Sequence, residues 1–133
     1  MAGRIAGQGS NWIRRERRIA LYLRDRFSCV YCRRSKVADG VTLTLDHVIA
    51  CDHGGTNAST NLVTACLSCN SAKQAKTVRE FSRYLVAMGY DGGVSRRVQN
   101  AGRRRVPSKA ELAKALAKAS PTPEFPSPEM VRD

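Results

Sequence analysis

A chain of 133 residues carrying a net charge of +12 has room for one small domain with extensions, not for two large ones. That charge points to an acidic polymer as partner, and no apolar run approaches the ~20 residues needed to span a bilayer. Five cysteines, four of them in CxxC pairs, argue against a disulfide scaffold and for bound metal in a reducing compartment, so a cytoplasmic location and no membrane partner are expected.

The basic residues crowd into 1–36 and 77–106 and bracket a nearly neutral centre at 37–76. Flanks of this kind would grip a polyanion while the centre acts on it. Residues 1–11 are Gly-rich, lack the apolar stretch of a signal peptide, and read as a flexible leader. From Trp12 to about Phe27 the sequence WIRRERRIALYLRDRF has helical spacing. Trp12, Ile19, Tyr22 and Leu23 share one side, while Arg14, Arg17, Arg18 and Arg24 cover the rest. Such a face is either simply solvated or a grip on phosphate.

Residues 41–45, VTLTL, alternate with period two and read as a strand running into Asp46-His47. The stretch 50–61 is rich in Gly, Asn, Ser and Thr and reads as a loop. Residues 62–65 form a second extended segment, and a helix starting near Cys66 to Asn70 continues through Lys73. Strand, loop, strand and helix make a ββα unit. The fold class expected is α+β, with this small metal-stapled centre flanked by helices.

Thr77 and Glu80 form a capping box ahead of a helix whose apolar positions are Val78, Phe81, Leu85 and Met88. Gly89 and the Asp91-Gly92-Gly93 run end it. Residues 91–107 read as a basic Gly/Arg-rich linker. A second capping signature at Ser108 to Glu111 opens a short Ala/Lys helix over 108–120. Residues 121–133 are proline-rich and expected to be disordered, a solubilising end rather than a docking segment.

Cys29 with Cys32, and Cys66 with Cys69, form two knuckles whose two-residue gaps turn both sulfurs toward one centre. Four thiolates in this arrangement suit one tetrahedral structural zinc, Zn²⁺. The stretch between the knuckles exceeds a zinc-ribbon spacer and suits an inserted hairpin.

CVYC at 29–32 followed by LTLDHVIACDHGGTNASTNLVTACLSCNSAK at 43–73 resembles the HNH, or ββα-metal, endonucleases, in the subgroup with four cysteines. CxxC alone and DH alone are common; the ordered set CxxC, DH, GG, NL, CxxCN, K is specific. The resemblance implies a nuclease domain over 12–90 including the basic N-terminal helix. It implies that Asp46 and Asn70 hold a catalytic divalent ion, that His47 is the general base, and that Asn61 is the middle Asn of the motif. Lys73 would contact phosphate.

The residues support the same chemistry. Hydrolysis of a phosphodiester needs an activated water, neutralised phosphate charge and help for the leaving oxygen. A free imidazole titrates near ~6.5 and can take the proton of water at neutral pH. Asp46 and His47, adjacent on a strand, point to opposite faces. One charged and one neutral oxygen donor favour a hard, loosely held ion such as Mg²⁺ or Mn²⁺. Asn61 either orients His47 or locks the loop by an amide hydrogen bond. The bland alternatives are a satisfied strand-end histidine, turn-forming Asp46 and Asn70, and a solvated lysine at 73. Cys51, where many relatives carry proline, reads as a filler, and His53 as a solvated loop-tip residue.

The function expected is metal-dependent cleavage of DNA leaving 5′-phosphate and 3′-hydroxyl ends, with Lys73, Lys76, Arg14, Arg17 and Arg18 on the DNA. The alternative is a zinc-bound nucleic-acid-binding module without hydrolytic activity. Compact Arg-rich HNH proteins look like those of bacteriophages and mobile elements, some beside DNA-packaging machinery, so a packaging or other protein partner is an expectation. One such centre cuts one strand per visit, so a double-strand break requires a dimer or two encounters.

Overall fold

The structure, a computed structural model, describes residues 13–118. The leader, Trp12 and the proline-rich tail lie outside the described residues. The chain is α+β: six helices and one two-stranded antiparallel sheet among the described residues. The helices are α1 (Arg15–Arg24), α2 (Lys36–Asp39), α3 (Leu67–Lys73), α4 (Val78–Ala87), α5 (Val94–Arg103) and α6 (Lys109–Lys118), and the strands are β1 (Leu43–His47) and β2 (Leu62–Cys66). None of the described helices is long and apolar enough to cross a membrane.

The two strands pair in the register Leu43 with Cys66 through His47 with Leu62. Every residue of both strands is buried, although alternation predicted only one buried face for β1. Helices cover both sides. Leu43, Leu45 and Leu62 pack with Ile19, Leu21 and Tyr22 of α1 and with Leu112 of α6. Val63 and Ala65 pack with the first knuckle, Phe81 and Leu85 of α4, and Val94, Val98 and Ala101 of α5. The α6 helix, short of apolar surface by itself, is thus docked on α1 through Leu112.

Residues 91–107, read from the sequence as a linker, instead hold α5, and this helix belongs to the core. Val94, Val98 and Ala101 recur at helical spacing and are its buried residues. Arg97 ties the helix down by donating to the carbonyls of Val30 (2.9 Å) and Tyr31 (2.6 Å). The two capping boxes form as expected. Glu80 N–H donates to Thr77 Oγ1 (3.1 Å) and Thr77 N–H to Glu80 Oε1 (2.9 Å); Glu111 N–H and Ser108 N–H make the same pair of bonds. Met88, however, is 61% exposed, because α4 ends at Ala87 and the following turn carries it away from the core face.

The face of α1 differs from its sequence reading. Arg18 and Arg24 are buried, while Leu23 is only partly so. Arg18 donates to the Ile13 carbonyl (2.8 Å). Arg24 and Asp25 form a buried ion pair (2.9 Å) whose outward groups close the open edge of β2. Arg24 donates to the Leu62 carbonyl (2.6 Å), and Asp25 accepts from Thr64 N–H (3.0 Å). Val30 N–H then donates to the Thr64 carbonyl (2.9 Å). An edge strand presents unpaired backbone groups, and here an ion pair and a loop satisfy them. Replacing Arg24 by alanine takes from the buried Asp25 its bidentate partner and leaves it Thr64 N–H and the more exposed Arg104. The expected loss is about 3–5 kcal/mol, read as a lower midpoint in urea unfolding; an unchanged midpoint would contradict the role given to the pair.

Among the described residues, four other than glycine adopt positive φ: Arg26 (61°), Phe27 (52°), Arg33 (74°) and Gln74 (51°). Left-handed backbone costs an L-residue roughly 1–2 kcal/mol. Phe27 offsets the strain by burying its ring in the core; Arg26 and Arg33 are exposed.

Candidate active site and metal centre

The first knuckle precedes β1, and the second straddles the junction of β2 and α3, so the sheet brings them together. The four cysteines are buried, and one sulfur from each lies within 4.8 Å of every other. Tetrahedral zinc with Zn–S of about 2.3 Å places its sulfurs about 3.8 Å apart, and Cys32 Sγ and Cys66 Sγ are 3.8 Å apart. Cys32 N–H points at Cys29 Sγ and Cys69 N–H at Cys66 Sγ, each 3.4 Å away. Arg34 reaches Cys32 Sγ (3.3 Å) and Cys66 Sγ (3.7 Å). These donors are aimed at sulfurs that carry negative charge.

Thiols this close cannot all ionise without a cation between them. The hydrogen bond from Cys29 holds Cys32 below the usual thiol range and Cys66 down at about 6. Cys29 and Cys69 are held above it, chiefly by their bonds with Cys32 and Cys29 respectively. The four converging sulfurs with their donors therefore fit a divalent, thiophilic metal.

Asp46 and His47 end β1 and face opposite sides, as strand alternation requires. Asp46 lies toward the cysteine side. Its Oδ2 accepts from the Tyr31 hydroxyl (2.5 Å) and pairs with Lys73 Nζ (3.1 Å). Tyr31 is held edge-on against Phe81, with ring centroids 5.2 Å apart. Asp46 Oδ1 accepts no hydrogen bond among the described residues, although the side chain is only 6% exposed. Burial pushes this carboxyl up from its ordinary value, against the opposing pull of Lys73 and Tyr31. Burial also pushes the Tyr31 phenol well up, helped by the Asp46 charge.

Asn70, on the first helical turns after β2, donates its amide N–H groups to Thr44 Oγ1 (2.9 Å) and to the Leu45 carbonyl (3.2 Å). Those bonds fix the orientation of the amide and leave Asn70 Oδ1 without a hydrogen-bond donor among the described residues. Two oxygens with unspent lone pairs, one anionic and one neutral, thus belong to side chains packed on β1. This donor set fits a hard cation.

On the other face, His47 Nε2 lies 2.7 Å from Asn57 Oδ1. An amide oxygen can only accept, so Nε2 carries a proton, and in the neutral ring the lone pair falls to Nδ1. Cys51 Sγ lies 3.5 Å from Nε2 and 3.8 Å from Nδ1, so the thiol read as a filler packs against the imidazole. Arg17 donates to the Asn57 carbonyl (2.5 Å) and to Ser59 Oγ (3.3 Å), tying α1 to the segment that orients His47. Asn57 was missed in the sequence because an Asn in a Gly/Asn/Ser loop carries no periodic signal.

Asn61 locks the loop. Its Oδ1 accepts from Ile49 N–H (2.8 Å), and its Nδ2 donates to the carbonyls of Ile49 (3.1 Å) and Thr56 (2.8 Å). Of the two roles open to it, loop locking is the one these bonds to Ile49 and Thr56 serve. Gly55 is required here, since a Cβ at that position would sit 1.6 Å from the Ile49 carbonyl oxygen.

Several residues expected at the DNA are engaged elsewhere. Lys73 is wholly buried and donates to the carbonyl of His47 (3.0 Å) besides pairing with Asp46. It braces the β1 terminus and has no surface to offer a phosphate. Arg18 is buried, as described above. Arg17 is half-buried in its loop contacts. Lys76 is half-buried and donates to the Ala72 carbonyl (2.9 Å). Arg14 and His53 are exposed.

A ββα unit whose helix meets a preceding knuckle at four converging sulfurs has the make-up of a small metal-binding domain. Residues 29–86 match the family model described as HNH endonuclease. That segment is similar to the HNH endonucleases, its four clustered cysteines are consistent with a zinc-type member, and the family suggests nuclease activity with DNA as substrate. No curated protein and no solved structure matches the chain significantly.

Proposed function

We propose that the domain is a metal-dependent DNA endonuclease in which His47 is the general base and Asp46 and Asn70 hold the catalytic ion. The observation that carries this reading is the pair of unspent oxygens, Asp46 Oδ1 and Asn70 Oδ1, together with an imidazole whose tautomer is set by Asn57. Zinc would occupy the cysteine centre, and Mg²⁺ or Mn²⁺ the oxygen site.

When bound, the divalent ion supplies charge neutralisation at the phosphate and at the departing 3′ oxygen. The chain's own residues do the rest. His47 Nδ1 takes a proton from the attacking water, while Asn57 holds the ring at Nε2. Tyr31 and Lys73 hold Asp46 by one oxygen and leave the other for the ion. Asn61 keeps the 49–61 loop closed over its own backbone, which fixes where Asn57 stands. The products are 5′-phosphate and 3′-hydroxyl ends.

Incubation with supercoiled plasmid is expected to give nicked circles with Mg²⁺ or Mn²⁺ and none with the chelator EDTA in brief exposure. Plasmid retained in a gel shift, yet never nicked with either ion, would instead indicate a binding module.

A further inference from the structure

A cleft of about 380 Å³ opens beside the first knuckle, and Arg26, Arg33, Arg97 and Arg104 line it, with Asp25 in its wall. None of these arginines takes part in the catalytic reading. Asp25 does not cancel them. Its side chain is fully enclosed and already paired with Arg24, and it steadies Arg104 from below at 3.2 Å. Arg97 is fixed by its bonds to Val30, Tyr31 and Asp91.

The other two arginines are placed against the preference of the backbone. Arg26 (φ 61°) and Arg33 (φ 74°) both sit in left-handed conformation, where glycine or asparagine is favoured. The backbone at each point is set by local bonds: Arg26 N–H to the Leu23 carbonyl in the turn after α1, and Arg33 N–H to the Cys29 carbonyl in the knuckle. Neither turn needs an arginine side chain. The Arg26 guanidinium has no hydrogen-bond or ion-pair partner among the described residues, and Arg33 has only a solvent-exposed pairing with Asp91 at 3.3 Å, a type of contact that contributes little. Both strained positions open onto the same cleft.

Guanidinium groups present planar forks that match phosphate oxygens. We propose that this cleft is a second phosphate-binding site, gripping a backbone phosphodiester of the substrate duplex apart from the bond that is cut. The proposal rests on the DNA reading above and deepens it by naming where the duplex is held.

The test measures binding in the full chain carrying His47→Ala, so that cleavage does not interfere, with a short labelled duplex followed by fluorescence anisotropy across a salt series. Arg26→Asn and Arg33→Asn remove the charge and keep a residue that tolerates left-handed backbone; Arg79→Asn, an exposed position on α4, controls for bulk charge. Each lost phosphate contact lowers the log–log salt slope by about 0.9, so the affinity ratio between about 50 and about 200 mM salt shrinks about 3.5-fold per contact. The cleft variants are expected to show that loss with an unchanged or raised melting temperature, and the double variant about twice the change in slope. Slopes equal to the parent's, or an equal loss in Arg79→Asn, would overturn the proposal. So would saturable binding of inorganic phosphate that disappears in the cleft variants while their duplex affinity stays intact. Failure of the unmodified protein to nick plasmid would strike the nuclease reading and leave the binding comparison to be judged by itself.

Discussion

His47→Ala is expected to lower plasmid nicking by about 10²–10⁴-fold, the usual contribution of a positioned general base, while duplex binding persists. The ring lies at the end of β1 and is 9% exposed, so its removal costs some packing and leaves Asn57 Oδ1 without its partner. A penalty of about 1 kcal/mol corresponds to a fall in melting temperature of roughly 4–8 °C for a domain of this size. Zinc content and circular dichroism should match the parent. The discriminating quantity is therefore rate at constant fold and constant binding. Nicking by the variant at the parent's rate would remove His47 from the chemistry and point to a contaminating nuclease or another base. A variant that neither binds nor folds would leave the question to His47→Gln, which retains a polar side chain against Asn57 and is expected to be equally slow.

Stripping the cysteine-bound metal is expected to unfold the domain. The centre joins the first knuckle to the β2–α3 junction, and four of the buried residues in the core on that side of the sheet are its cysteines. Structural zinc in small domains carries an apparent binding free energy of about 10–16 kcal/mol near neutral pH, against a total stability of about 5–15 kcal/mol for a typical domain. Removing it leaves four crowded sulfurs, of which Cys32 and Cys66 have Arg34 beside them. Exhaustive chelation should abolish the cooperative thermal transition, and one equivalent of zinc should restore it. A sharp transition persisting in protein shown by elemental analysis to be metal-free would contradict this. An ion at the proposed oxygen site is expected to behave differently: Asp46 is already held by Tyr31 and Lys73, so withdrawing such an ion alone should stop cleavage with little change in melting.

What was legible in the sequence is what depends on neighbouring residues along the chain. The CxxC spacing dictates that two sulfurs converge, and they do. The capping boxes at Thr77 and Ser108 need only a hydroxyl and a carboxylate three residues apart, and both form. Period two in 41–45 predicted β1, although the strand is displaced to 43–47. The helix at 94–103 was also within reach: Val94, Val98 and Ala101 carry the helical period, but the surrounding glycines and arginines outweigh it in a composition-based reading.

The fates of the charged residues were not legible. In sequence Arg18 and Arg24 look no different from the exposed arginines beside them, and Lys73 looks no different from a solvated helix lysine. Whether such a side chain meets water or a buried carbonyl is decided by elements that approach from elsewhere: β2 against α1 for Arg24, and β1 against α3 for Lys73.

By itself, then, the sequence determined the ββα order, the cysteine quartet, the helix caps and the Asp-His pair, because each is written in spacings of a few residues. Only the tertiary structure decided that both faces of the sheet are covered, that Asn57 rather than Asn61 meets the imidazole, that Lys73 turns inward, and that four arginines distant in sequence share one cleft. Those outcomes depend on which surfaces pack together, and burial is a property of the assembled layers that no single segment carries.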